Sequence, residues 1–327
     1  MMRIWNLPVI DLIPFDELEE ERPVALVTTL EDWNAVKDDL DHLNIVWRAD
    51  AVDPIVQQWA NLTMDLQQSN LNDAELAIYA VGGEIEVDAA KYIAHHTGLE
   101  LTCLPTALSA DSFLTYTSSA RDQGSVTHLE TKPPERLIID VDVLAVAPED
   151  LRAAGICDLV SIATALWDWE LAAEEGQNPE GMELIPWVAD AAQAILDGAL
   201  ECAEAAGAGD AEGLKQLLDC LALGVQLCNQ IDHTRPLEGS EHYFAYALEN
   251  YLGKKRIPHA HLVGTGILLM AEFQDQYTEH LERALKLCHI PQDSVPEDAV
   301  GLALRGLPEY VRKHAFPYSI AHELKMQ

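Results

Sequence analysis

Residues 75–93 read Glu-Leu-Ala-Ile-Tyr-Ala-Val-Gly-Gly-Glu-Ile-Glu-Val-Asp-Ala-Ala-Lys-Tyr-Ile. The run Glu75 to Val81 has the length and apolar content of a buried strand. Gly82-Gly83 ends it, and Val87, Ala90, Lys91 and Ile93 then recur at helical spacing. A strand, a glycine turn and a helix in this order make one half of a βαβ unit. Consecutive glycines let backbone N–H groups approach a pyrophosphate at the helix N-terminus, so Gly82 and Gly83 are candidate cofactor contacts. The same dipeptide also serves as a plain tight connection.

The pattern repeats outward. Val24 to Thr29 precedes a helical stretch from Glu31 to Leu40, and Asn44 to Ala49 precedes another from Pro54 to Leu66. Glu100 to Leu104 and Arg136 to Asp140 are further strands. This alternation predicts an α/β domain with a parallel sheet over residues 1–145. From residue 146 to 327 the chain turns rich in Ala, Leu and Glu at helical spacing, which predicts an all-helical second domain. Its helices are expected over Cys157 to Glu175, Trp187 to Ala206, Ala211 to Gln230, Glu241 to Tyr251 and His259 to Arg283.

Composition excludes several classes. The 327 residues carry 55 acidic against 20 basic side chains, a net charge of -35. Such a charge repels nucleic-acid phosphates and anionic membranes, so no nucleic-acid partner is expected. Six scattered cysteines form no CxxC pair and read as reduced thiols. No segment has the unbroken apolar length of a membrane span and Met1 to Leu12 lacks a leader pattern, so a cytoplasmic location is expected.

Two further groups of residues can carry chemistry. Leu104 to Phe113 is a polar loop beyond a strand, at the edge where open α/β sheets bind ligands. Its Thr106 and Ser109 hydroxyls suit a cofactor, and Asp111 suits a substrate hydroxyl, although ordinary turn chemistry uses the same residue types. In the helical half, Asp158, His242 and His259 each stand near a helix start. Each alone is equally a cap or a core residue, but two imidazoles and a carboxylate together make a metal site with an open position.

Taken together these segments resemble the iron-containing, metal-dependent alcohol dehydrogenase superfamily, on its glycerol-1-phosphate and glycerol dehydrogenase side. Gly82-Gly83 through Asp88-Ala89-Ala90-Lys91 is similar to the family's glycine-rich turn and Asp-x-Ala-Lys helix, and Pro105-Thr106 through Ser109 and Asp111 to its Pro-Thr-x-x-Ser-x-Asp loop. Gly155 to Asp158 with Thr164-Ala165 and Asp168-Trp169 resembles the first ligand helix. Arg235-Pro236, Gly239-Ser240-Glu241-His242 and His259 resemble the second and third ligand segments. Three positions depart from the pattern: Glu84 replaces a third glycine, Glu238 replaces a small residue and His261 replaces a Glu.

The resemblance implies a Rossmann-like nucleotide-binding domain followed by a helical metal-binding domain, with the cofactor between them. It implies metal binding by Asp158, His242 and His259, with zinc, or else iron or nickel, as the ion. Gly82, Gly83, Asp88, Thr106 and Ser109 would contact NAD or NADP, and Asp111 would position a substrate hydroxyl. The implied activity is hydride exchange between nicotinamide and a polyol, glycerol phosphate or dihydroxyacetone phosphate, in a homo-oligomer. Arg235, Lys254, Lys255 and Arg256 are the cations available for a substrate phosphate. The alternatives are a dehydroquinate-synthase-like lyase and a member that has lost its cofactor. Glu84 is expected to weaken dinucleotide binding unless it points outward.

Overall fold

A computed structural model describes residues 5–51, 53–69, 71, 76–122, 125–252 and 256–325. The chain divides into two compact units, Trp5–Pro148 and Glu149–Gln327.

The first unit is built on a six-stranded sheet of β1 (Val9–Leu12), β2 (Val24–Thr28), β3 (Ile45–Asp50), β4 (Ala77–Gly82), β5 (Leu101–Pro105) and β8 (Arg136–Ile139), in the order β1-β8-β5-β4-β2-β3. Every pairing in it is parallel. Strands β2, β4 and β5 are buried along their whole length, whereas edge strand β3 alternates. That contrast follows from position, since a central parallel strand is covered on both faces. Phe15, Leu26, Tyr79 and Ile138 belong to one continuous core. The helices α1 (Leu30–Val36), α2 (Val56–Gln68), α3 (Glu84–Thr97) and α4 (Val141–Ala145) alternate with the strands.

From β2 the chain moves outward to β3, then returns to place β4 on the other side of β2. The reversal creates a switch point at the carboxyl ends of β2 and β4, where open α/β sheets bind ligands. Gly82 ends β4 with φ +142, a conformation that L side chains rarely adopt.

An antiparallel hairpin of β6 (Thr117–Asp122) and β7 (Ser125–Glu130) was not foreseen from sequence. Buried charges tie it to α3. Lys91 Nζ lies 2.8 Å from Asp88 Oδ1, donates to Ser112 O at 2.8 Å and also meets Thr117 O. Ser119 N donates to Asp88 Oδ2 at 2.8 Å.

Among the described residues the second unit is all helical. It contains α5 (Glu149–Arg152), α6 (Ile156–Val160), α7 (Ile162–Glu174), α8 (Pro186–Gly207), α9 (Ala211–Ile231), α10 (Ser240–Leu252), α11 (His259–Phe273), α12 (Glu279–Leu287) and α13 (Glu297–Lys313). The helix expected over His259 to Arg283 is two, because Asp275 takes a left-handed φ of 54. The stretch from Cys157 to Glu175 is likewise divided at Ser161, whose hydroxyl donates to Leu237 O. Helices α10 and α11 approach closely at Gly266, where an added Cβ would lie 2.5 Å from Glu241 O. Among the described residues no helix is long and apolar enough to cross a membrane.

Candidate metal centre and cofactor turn

Asp158, His242 and His259, the expected ligand set, come together in the second unit. Each offers one ligand atom, and these atoms lie within 4.8 Å of one another. Asp158 is on the short buried helix α6, His242 in the first turn of α10 and His259 at the start of α11. The His242 and His259 rings lie 5.6 Å apart, and His242 Nε2 is 3.9 Å from Asp158 Oδ1. Tetrahedral ligands about 2.1 Å from an ion stand about 3.4 Å apart, so small side-chain movements would close these gaps.

A buried carboxylate behind His242 strengthens the fit to a cation. Glu241 is fully buried and its Oε1 accepts from His242 Nδ1 at 2.9 Å and from Gly239 N at 2.6 Å. Its Oε2 accepts from the Thr164 hydroxyl at 2.7 Å. Protonated on Nδ1, the imidazole turns the lone pair of Nε2 toward Asp158 and His259, the orientation a metal ligand needs. Burial opposes the charged imidazole, but the carboxylates of Asp158 and Glu241, the second accepting a hydrogen bond from Nδ1, outweigh it and hold the pKa of His242 well above its ordinary value.

Asp168 fixes the start of α10 from the other side. It accepts from Ser240 N and Ile320 N, both at 2.7 Å. Burial first, then the charge of Glu241, push its carboxyl up to about 6. Sequence reading placed Glu241 and Asp168 in the right motifs but gave them no task. The available signal was an acidic residue next to a candidate ligand in an apolar helix. Replacing Glu241 with Gln is expected to weaken metal binding 10–100-fold, because the amide cannot accept all three hydrogen bonds. Competition with a metallochromic chelator measures this; unchanged affinity would remove Glu241 from the site.

His261 faces away from this role. It is buried, its Nε2 lies 3.7 Å from Asp150 Oδ2, and burial lowers its pKa. Arg235, expected among the phosphate-binding cations, is 2% exposed and donates to the carbonyls of Asp168 and Tyr318. It braces the helices and is not offered to a ligand from solvent. Lys254 and Lys255 lie outside the described residues.

In the first unit, four of the five predicted cofactor residues, Gly82, Gly83, Thr106 and Ser109, lie near one another at the switch point, and Asp88 does not join them. Thr106 N donates to Gly82 O at 3.3 Å, and its hydroxyl donates to Asp32 Oδ1 at 2.7 Å. The Ser109 hydroxyl would lie 3.4 Å from a Cβ on Gly83. Asp111 is in the loop after β5, in a turn closed by Leu114 N and Asp111 O at 2.8 Å. Asp88 is 2% exposed and its oxygens are committed to Lys91 and Ser119, so it faces the hairpin.

Glu86 changes the character of this turn. Its Oε2 accepts from Gly83 N at 3.0 Å, the amide that opens α3. With that carboxyl in place, the turn as it stands does not fit a bound pyrophosphate. Sequence reading singled out Glu84 and passed over Glu86, although glutamate three residues after a helix N-cap is the mark of a capping box.

Residues 17–148 match the model of the family described as iron-containing alcohol dehydrogenase. The chain is 33% identical over 231 residues to the glycerol-1-phosphate dehydrogenase (NAD(P)+) of Sulfurisphaera tokodaii, covering 69% of this chain and 65% of that protein. It is 31% identical over 241 residues to the protein of the same name from Aeropyrum pernix, covering 71% and 67%. The chain thus spans about two thirds of the length of these curated relatives. Among solved structures it resembles a probable glycerol dehydrogenase from Sinorhizobium meliloti, with TM-score 0.69, 15% identity and coverage of 99% and 94%. Glycerol dehydrogenase from Schizosaccharomyces pombe gives TM-score 0.67, 17% identity and coverage of 99% and 86%. With the parallel sheet and the helical unit already described, these matches establish that the chain belongs to the iron-containing alcohol dehydrogenase family.

Proposed function

We propose that this protein is a metal-dependent, NAD(P)-linked dehydrogenase acting on glycerol phosphate, dihydroxyacetone phosphate or an uncharged polyol. The observation that carries the reading is the convergence of Asp158, His242 and His259, with Glu241 buried behind His242. The names of the relatives at about 30% identity support the substrate class and the nicotinamide cofactor.

Two imidazoles and one carboxylate suit zinc, iron(II) or nickel(II), and zinc is our first assignment. An ion bound there supplies Lewis-acid polarisation of a substrate alcohol or carbonyl oxygen. The chain's own contribution is to fix the ligands before substrate arrives. Glu241 holds the His242 ring, Thr164 and Gly239 hold Glu241, and Asp168 holds the α10 start. Burial of Asp158 and His242 limits water around the reacting oxygen. We assign Asp111 to a neighbouring substrate hydroxyl, and Gly82, Gly83, Thr106 and Ser109 to the dinucleotide.

A second reading is favoured by one observation. Glu86 on Gly83 N suits a family member that keeps the metal but has lost dinucleotide binding. Oxidation of NADH and NADPH by the zinc-loaded protein separates the two, with dihydroxyacetone phosphate and dihydroxyacetone compared as substrates. The first reading predicts metal-dependent oxidation with at least one of the two substrates. Absence of any oxidation, with metal bound, would favour the second.

A further inference from the structure

The carboxyl edge of the sheet at β2 and β4 offers an anion two things, the opening amides of a fourteen-residue helix and a backbone free of side chains at Gly82-Gly83. Both are already taken. An added Cβ on Gly82 would lie 2.7 Å from Glu86 Cγ, 2.9 Å from its Cδ and 3.0 Å from its Oε2. The Glu86 side chain is therefore folded back over the space that the glycine leaves, with its Oε2 on Gly83 N. It is 6% exposed.

The surroundings are acidic. Asp32, in the first turn of α1, accepts from the hydroxyls of Thr29 at 2.5 Å and Thr106 at 2.7 Å. Its charge and that of Glu84 act on Glu86. A pyrophosphate entering the turn would meet the Glu86 carboxyl on the very amide it needs, in a field made more negative by Asp32 and Glu84. Helix N-termini favour a single local negative charge and hold it within the first turn, so the two anions exclude each other.

We propose that Glu86 is an internal competitor for the dinucleotide pyrophosphate, and that a nicotinamide cofactor is held only when the Glu86 side chain has left Gly83 N. The proposal rests on the dehydrogenase reading given above. Its physical content is a two-state turn, in which the apparent dissociation constant is the intrinsic one divided by the fraction of molecules whose turn is open.

The protonation state of Glu86 modulates the competition. Burial first, then the charge of Asp32, push its carboxyl up to about 8. Above that pH an ionised Glu86 both grips the amide and repels phosphate; below it a neutral carboxyl is a weaker acceptor. Affinity for the cofactor should therefore tighten as pH falls through about 8. Asp32 on α1 and Glu84 in the first turn of α3 itself are unchanged in a Glu86→Gln protein, so any slope left there belongs to them.

The test is titration of NADH and NADPH into metal-loaded, full-length protein, followed by nicotinamide fluorescence, for the native chain, Glu86→Gln and Glu86→Ala. We expect both variants to bind at least tenfold more tightly than native at about pH 8.5, and the pH slope to vanish in Glu86→Gln. Equal affinities in all three proteins would overturn the competition while leaving the dehydrogenase reading in place. No binding by any of the three at about millimolar cofactor would overturn both, and unchanged metal stoichiometry and circular dichroism would show that the variants had folded.

Discussion

Asp158→Ala is expected to bind zinc at least a hundredfold more weakly than the native protein, with activity lost in proportion. Structural zinc sites supply roughly 10–16 kcal/mol from four ligands, so one ligand is worth about 3 kcal/mol, or about two decades. The loss is sharpened here because Asp158 is the one carboxylate of the three proposed ligands. His242 would then retain only Glu241, which faces its Nδ1 and cannot replace a ligand at Nε2. Isothermal titration with zinc measures the change. Since Asp158 is buried on α6 beside Cys157 and Leu159, thermal melting should accompany the titration to separate lost affinity from lost structure. Native-like melting with unchanged zinc affinity would remove Asp158 from the ligand set.

Lys91→Met is expected to destabilise the protein by about 3–5 kcal/mol, the cost of leaving one charge of a buried pair alone. Lys91 is completely buried and holds Asp88, Ser112 O and the Thr115 hydroxyl at 2.8, 2.8 and 3.1 Å. Methionine fills much of its volume but satisfies none of these groups. Adding Asp88→Asn removes the stranded charge and can keep the acceptor for Ser119 N, so the double variant should recover about half of the loss. Urea unfolding of the single and double variants measures both quantities. A single-variant loss below about 1 kcal/mol would mean that water, not Lys91, carries the hairpin.

These two residues show how unevenly function was legible in the sequence. Asp158, His242 and His259 are separated by long stretches of chain, and spacing alone left each as a cap or a core residue. The resemblance joined them, and the fold then placed their ligand atoms within 4.8 Å. Asp88 and Lys91 also matched a family motif, yet the motif gave no hint that both are buried and serve the β6–β7 hairpin. That hairpin was itself missed because Thr117 to Glu130 mixes serine, threonine and charges, with too weak an alternation to announce two strands.

Strands β2, β4 and β5 were the most legible, because complete burial demands an unbroken apolar run. Helix ends were harder to locate. The break after Phe273 depends on a left-handed aspartate, Asp275, in a stretch whose apolar spacing continues on either side. Glu86 was hidden for another reason: in composition it is one more acid in an acidic chain, and only its hydrogen bond to Gly83 N sets it apart.

The account turns on metal-dependent hydride exchange, and the most direct measurement follows NADH or NADPH oxidation by stripped protein as zinc is added back in the presence of dihydroxyacetone phosphate. We predict no oxidation without metal, a rate that rises to a plateau at one zinc per chain, and no recovery in Asp158→Ala. Full activity in the stripped protein, or recovery that does not depend on Asp158, would contradict it.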